Sequence, residues 1–440
     1  LLYPPDKTEG VEPLRSYLEG IEDISSMEEM TAYFRNEQGE NLFDIQLAPF
    51  SVQAAYTDRA GDDYTVMIQP QAELVLPDKD NYLNLNTDGV GYDLYNRELI
   101  GSIFGRLGYS ASQINAMLTG CYRFECKLVR CLPYESDMQG NTYWTENDAI
   151  YSREELDALC GNFPLGAILE EYGLGASRTY TVPCGIQLEE LGRIYCDRNL
   201  SDIKAYLEIH TALNAVTLLD DGTNTLAEES IRQAKRSAPT TTQGEMTEEE
   251  EQNAARQAVF NRFVAPFLSD AFQQMYVAHY CTARQKADLT QLVLNIQKAF
   301  RQTLENSDWL GEETRVEALA KLDNMGLHVL YPDNLIDYTA LSFEGCENLL
   351  DAVSRISRFN MDLQAGLVNQ KVDRSNWDLT QIPTTMVNAM YNPMDNSINI
   401  LAGFLASGEA YSTDKAIEEN LAGIGTVIGH EITHGFDTAG

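Results

Sequence analysis

Histidine, tryptophan and positive charge are all scarce in this chain. Its 440 residues include five His and three Trp, and 31 Lys and Arg stand against 67 Asp and Glu, a formal charge of −36. So few cations exclude a phosphate-tracking surface or an anionic-membrane face, and neither nucleic acid nor acidic lipid is an expected partner. The excess charge reads as a solvated acidic surface. No run of eighteen apolar residues occurs, so no membrane-spanning segment is expected. There is no Cys-x-x-Cys pair among Cys121, Cys126, Cys131, Cys160, Cys184, Cys196, Cys281 and Cys346, which argues against a cysteine zinc site. These read as mostly buried thiols, with a pair or two oxidised if the protein is exported. No signal peptide, initiating Met or internal repeat is visible. Hydrophobic content of 44% and 23 Tyr indicate a folded globular protein. Its length exceeds what one core supports, so two domains are expected.

Because histidine is rare, the placement of two of them is informative. The chain nears its end with His430-Glu431-Ile432-Thr433-His434, then Gly435-Phe436-Asp437. A chance His-Glu-x-x-His is expected in under ~1% of such sequences. On a helix, residues four apart sit one turn above each other, so both imidazoles can reach one zinc ion. Glu431, about a quarter-turn away, can take a proton from zinc-bound water as it attacks a peptide carbonyl. A catalytic zinc needs a third protein ligand, and no residue after His434 supplies one.

The flanking sequence predicts that the pair sits on an anchored helix. Ile417, Leu421, Ile424, Ile428 and Ile432 recur at spacings of 4, 3, 4 and 4, one buried stripe. Gly423, Gly425, Gly429 and Gly435 each cost ~1 kcal/mol of helix propensity, so close packing must hold the segment together. Upstream, Val387–Pro393 and Asn396–Ile400 read as two short strands joined by a turn at Asn392, Pro393, Asp395 and Asn396. A strand edge beside such a helix can cradle an extended peptide through main-chain hydrogen bonds. His210, His279 and His328 read as packed or surface residues rather than metal ligands, and Trp309 and Trp377 as core anchors.

Together these segments resemble the neprilysin-type zinc endopeptidases, neprilysin and the related bacterial oligopeptidases. Val427-Ile428-Gly429-His430-Glu431-Ile432-Thr433-His434-Gly435-Phe436-Asp437 is similar to that family's zinc-helix signature throughout, and Val387-Asn388-Ala389 with Tyr391 to its substrate-binding strand. Asp308-Trp309-Leu310, Lys321-Leu322-Asp323, Tyr331-Pro332-Asp333 and Leu76-Pro77-Asp78 also match family segments. The resemblance implies that His430 and His434 are zinc ligands and Glu431 the general base. It further implies that Asp437 orients a ligating histidine, Asn388 and Ala389 hold the substrate backbone, and Val427 lines the pocket for the residue after the scissile bond. The family's third ligand, a glutamate in a Glu-x-x-x-Asp motif, lies beyond Gly440. The chain departs from the family at Met390, at Leu401-Ala402-Gly403 and over Ala406–Tyr411, which bears on side-chain preference rather than on the chemistry.

Helical periodicity dominates elsewhere. Helices are expected over residues 12–36, 95–131, 152–174, 185–192, 200–236, 248–278, 283–306 and 311–325, with 41–85 extended, a flexible loop at 237–244 and a capping box of Thr247 with Glu250. The expected fold is mainly α (α+β). A helical lid domain over residues 1–340 and the first part of a thermolysin-like zincin domain over 341–440 would enclose a cavity that admits short peptides. The break is placed between Asp337 and Glu347. The chain is read as a piece of a larger zinc endopeptidase, cut at both ends, and inactive by itself without the third ligand. An exported or envelope-attached bacterial protein is favoured over a cytoplasmic one. The rival readings are a catalytically inactive peptide-binding module, and another zinc hydrolase or structural zinc site.

Overall fold

The computed structural model describes residues 10–36, 42, 51–56, 63–69, 74–83, 87–130, 132, 149–234, 257, 260–372, 383–393, 395–406 and 408–437. They form two compact units. The first comprises Leu1–Phe263 with Leu341–Lys371, the second Val264–Ala340 with Val372–Gly440. The chain therefore crosses between units at 263/264, 340/341 and 371/372. Among the described residues no helix is long and apolar enough to cross a membrane, and Cys121, Cys126, Cys160, Cys196, Cys281 and Cys346 are free thiols. The loop at 237–244, the Thr247–Glu250 box and Trp377 lie outside the described residues.

The first unit is mostly helical, and local chemistry cuts its long periodic stretches into shorter helices. The stretch 95–131 becomes Thr87–Arg106 and Ala111–Leu128, broken where Gly108 takes φ +94° and Ser110 caps the second helix in a reciprocal box with Gln113. The stretch 152–174 breaks at Gly161 and Pro164 into Arg153–Cys160 and Leu165–Glu171. Helix Leu200–Ala215 is buried on nearly all sides, as a central helix must be. It approaches Ala111–Leu128 so closely that a Cβ on Gly120 would meet the Ala205 methyl at 2.8 Å. A small mixed sheet completes this unit: β1 (Ser51–Tyr56), β2 (Thr65–Gln69), β3 (Ala149–Tyr151) and β4 (Tyr180–Val182), in the order β1-β2-β4-β3. Helix Leu349–Ala365, capped by Asn348, was not foreseen from periodicity.

One buried carboxylate organises the centre of this unit. Glu125, fully buried, accepts the Val75 amide at 3.0 Å, the Tyr82 hydroxyl at 2.7 Å and His210 Nε2 at 2.7 Å. It thereby ties helices Ala111–Leu128 and Leu200–Ala215 to the Val75–Tyr82 segment. His210 is thus packed, its ring 4.4 Å from that of Tyr206. Nearby, Glu208 is 7% exposed and lies in the field of Glu22, with the Lys204 ammonium opposing it.

The second unit is built around a three-stranded sheet, β5 (Gly326–Leu330), β6 (Ala389–Asn392) and β7 (Ser397–Leu401), ordered β5-β7-β6. β5 pairs parallel with β7, and β6 antiparallel with it through Ala389↔Ile400 and Asn392↔Ser397. The two strands expected around residues 387–400 are therefore present and paired, with Asn396 at φ +53° in their turn. β5 explains why residues 264–340 belong here, because its partner strand lies 71 residues further along the chain, Gly326 pairing with Ser397. Leu330 ends β5 at φ +62°, a left-handed conformation costing a leucine ~1–3 kcal/mol unless neighbours hold it. Helix Ala283–Glu305 packs through Leu289, Leu292 and Val293 into a core shared with Val329, Ile398, Ile400, Ile424, Ile428 and Ile432. Trp309 is 78% exposed, so the expectation of a core anchor is corrected. It sits in the loop between helices, where the Arg315 guanidinium instead secures the Ser307 and Leu310 carbonyls.

Two stability measurements test this picture. Glu125→Ala should cost roughly 3–5 kcal/mol in urea unfolding, since three buried donors lose their acceptor at once; a loss below ~1 kcal/mol would show that the hub is dispensable. Burial and Glu22 raise the Glu208 carboxyl from 4.5 to about 7. A raised carboxyl contributes stability that is complete below the unfolded value and is lost as pH rises through about 7. The wild type should therefore lose on the order of 3 kcal/mol relative to Glu208→Gln between pH 4.5 and pH 8, the variant being the flatter in pH. Parallel pH profiles would refute this.

Candidate metal centre

The helix that carries the two histidines is reached through an irregular turn. Residues 417–434 run as helix Ile417–Asn420, a π-helical turn Leu421–Gly425 and helix Thr426–His434. Ile424, Ile428 and Ile432 are fully buried, but Ile417 and Leu421 are 54% and 42% exposed. The stripe expected over five residues holds for three. The π turn is wider than an α turn, so it shifts the helical phase and swings the first two side chains off the core. Its cause is a neighbouring loop. The Ala410 carbonyl takes the Ile424 amide at 3.0 Å, and a Cβ on Gly423 would stand 2.4 Å from that oxygen. Asn420 fixes the same loop by accepting the Ser412 amide and donating to the Ser412 carbonyl. Gly425 and Gly435 are also closely packed, the latter against Met325 and Tyr391, whereas Gly429 faces open space and nothing in the packing explains it.

With its underside fixed, the helix presents both imidazoles on the opposite face. Their Nε2 atoms are 3.0 Å apart and their ring centroids 4.5 Å apart. His434 Nδ1 donates to Asp437 Oδ2 at 2.7 Å, which makes Nε2, the atom facing His430 Nε2, the one that carries the ring's lone pair. That hydrogen bond, with the charge of Glu431 adding to it, holds His434 above the usual imidazole range. The same negative field favours a metal cation in the proton's place. Two nitrogens on one tetrahedral zinc stand ~3.3 Å apart, so the pair needs to open only slightly to share an ion. Glu431, between them in sequence, is 7% exposed. The donor set therefore suits a zinc ion, and among the described residues no third His, Cys or carboxylate ligand joins the pair.

The remaining expected site residues lie on neighbouring elements. Ala389, 6% exposed, opens β6, the edge strand of its sheet, and helix Thr426–His434 packs against β6 and β7. Asn388 is exposed just before it, its carbonyl accepting the Leu401 amide at 3.3 Å. Val427 is partly buried against the core one turn before His430. Sequence reading missed Thr384, a buried residue that holds the approach to Asn388; a Thr beside a Pro in a loop carries no signal of such a role.

The described residues contain one other group able in principle to hold a metal, Cys121, Glu125 and His210. Its carboxylate is already taken by protein donors, and burial keeps the Cys121 thiol well above its usual range, away from the thiolate a metal needs. It is a hydrogen-bonded structural hub. His279 is exposed, and His328 Nδ1 donates to Asn399 Oδ1 at 2.9 Å; neither joins a metal group among the described residues.

Comparison with known proteins places these features in a wider set. Two family models described as Peptidase family M13 match residues 6–332 and 388–440. A Streptococcus gordonii protein named as a zinc metalloproteinase of the scaA 5′ region is 24% identical over all of this chain and 73% of its own length. Human endothelin-converting enzyme-like 1 is 37% identical over 39% of this chain and 22% of its own, and the neutral endopeptidase of Lactococcus lactis 32% identical over 40% and 27%. The solved structure of PepO from Lactobacillus rhamnosis superposes with a TM-score of 0.74 at 23% identity, over 99% of this chain and 65% of that one. The open state of Mycobacterium tuberculosis zinc metalloprotease Zmp1 does so with a TM-score of 0.82 at 22% identity, over 99% and 64%. The chain thus spans just under two thirds of these solved relatives, with which it shares a mostly helical fold.

Proposed function

This chain belongs to peptidase family M13, and from that membership we propose that the protein is a zinc endopeptidase acting on short peptides, with His430 and His434 as two metal ligands and Glu431 as general base. The observation that carries the reading is the pair of Nε2 atoms 3.0 Å apart on one helix face, with Glu431 between them in sequence and the edge strand β6 packed against their helix. When bound there, zinc supplies Lewis acidity, lowering the pKa of water towards ~7 and polarising the scissile carbonyl. His430 and His434 hold the ion through Nε2, and Asp437 keeps His434 in the tautomer that allows it. Glu431 takes the proton of the attacking water and delivers it to the departing amine. The free edge of β6 receives the substrate main chain as an added strand, with Asn388 and Ala389 at its start. Val427 borders the pocket for the residue after the scissile bond.

A finer part of the proposal concerns the 440-residue chain by itself. Two imidazoles and solvent hold zinc weakly, so a third ligand from outside these residues is needed for tight binding and fast turnover. The rival of a peptide-binding module without catalysis is favoured for this chain alone by the same count of ligands among its described residues.

Two measurements test the reading. In the full-length protein, Glu431→Gln should lower kcat on a short peptide by at least ~10²-fold with zinc content unchanged, and His430→Ala should remove most of the zinc. Full zinc occupancy in the His430→Ala variant would take that residue out of the site. Elemental analysis should find zinc near one per molecule in the full-length protein and little in the 440-residue chain. Tight zinc in the shorter chain would mean that its residues include a third ligand.

A further inference from the structure

The segment that leads into Asn388 hangs on one buried side chain. Thr384 is fully buried, and each of its polar groups is bonded to a different part of its unit. Its amide donates to Gln273 Oε1 at 2.6 Å, and its hydroxyl donates to the Leu330 carbonyl. The same Oγ1 accepts the Ala402 amide at 2.9 Å, and its carbonyl accepts the Gly403 amide at 2.9 Å. Gln273, 1% exposed, belongs to helix Ser269–Tyr280; Leu330 ends β5; Ala402 and Gly403 follow β7. Gly403 backs directly onto the same segment, since a Cβ there would lie 2.1 Å from the Met386 carbonyl oxygen. Beyond this anchor the ties to the rest of the unit thin out. The Met386 amide reaches only the Pro383 carbonyl of its own turn at 3.2 Å, Met386 and Val387 are 45% and 70% exposed, and the Asn388 carbonyl then accepts the Leu401 amide.

We propose that Thr384 is a positioning residue for peptide binding. By tying the approach segment to β5, to the exit of β7 and to helix Ser269–Tyr280, it sets the place at which Asn388 and Ala389 enter β6. It thereby sets the register of the free strand edge that a substrate main chain would join. The proposal rests on the peptidase reading of the site. Thr384 touches no substrate itself. What the position requires is one atom that both donates and accepts: a valine matches the shape and can do neither, whereas a serine can do both. Loss of the hydroxyl leaves the Leu330 carbonyl and the Ala402 amide without their partner, and the cheapest relief is for the weakly supported 385–388 segment to shift.

The test uses the full-length protein, steady-state hydrolysis of a short fluorogenic peptide, zinc content and melting temperature. Thr384→Val should raise KM roughly tenfold with kcat within about twofold and zinc unchanged, the pattern of lost binding rather than lost chemistry. Thr384→Ser should stay within about threefold of wild type in KM, and Gln273→Leu should raise KM in the same sense as the valine variant. A merely structural role would lower the melting temperature and leave KM where it was, and that result overturns the proposal. So does a fall in kcat at unchanged KM. Should Thr384→Val fail to fold, a wild-type KM for Gln273→Leu is the overturning result. Absence of any hydrolysis sensitive to Glu431→Gln in the wild-type background would instead bring down the peptidase reading, and this proposal with it.

Discussion

Everything on the histidine face depends on the apolar underside of its helix. Ile424, Ile428 and Ile432 occupy one stripe with no exposed area and lock the helix onto the sheet and onto helix Ala283–Glu305. Each such side chain contributes ~1.5–3 kcal/mol of burial, enough to override Gly423, Gly425 and Gly429, which would otherwise fray the segment. The polar face is then held in one arrangement. The two Nε2 atoms lie within hydrogen-bond distance at 3.0 Å, and a carboxylate holds His434 from behind. An isolated peptide of this sequence would let its imidazoles drift apart. Here the packing beneath denies it that freedom, which is what pre-organisation means in physical terms.

The same division of labour recurs at the centre of the first unit with the opposite outcome. Cys121, Glu125 and His210 are all potential ligands, yet the protein has surrounded the carboxylate with its own donors and removed the site from water. His430 and His434 have half-exposed surroundings and one carboxylate that engages the far nitrogen. Ligand type alone does not separate a structural cluster from a metal centre. What separates them is whether the lone pairs are already spent.

Much of the site was legible in the sequence because it is local. His430, Glu431, His434 and Asp437 fall within eight residues of one another, and helical geometry alone brings them to one place. The β6–β7 pair was legible for the same reason, its turn marked by Asn392, Pro393, Asp395 and Asn396. What periodicity could not show were effects that arrive from elsewhere in the chain. The Ala410 carbonyl creates the π turn and expels Ile417 and Leu421 from the stripe. β5 joins its partner across a long separation, so the grouping of 264–340 with 372–440 has no local marker. Helices were read too long where a single Gly or a capping Ser intervenes, because apolar spacing continues across the break. Trp309 was taken for a core residue on size alone, and it is exposed.

The parallel pairing of β5 with β7 also constrains how the protein is made. During synthesis β5 emerges well before the strand it must join, with all of helix Leu349–Ala365 still to follow. Until residues near 400 appear, β5 offers an unpaired hydrophobic edge, and the second unit can close only by bringing distant segments together. Such non-local closure is slow and leaves the nascent chain open to aggregation. The first unit waits too, since it is complete only once Leu341–Lys371 has followed. The histidine helix, emerging after β7, therefore docks onto a sheet that has itself only just become complete.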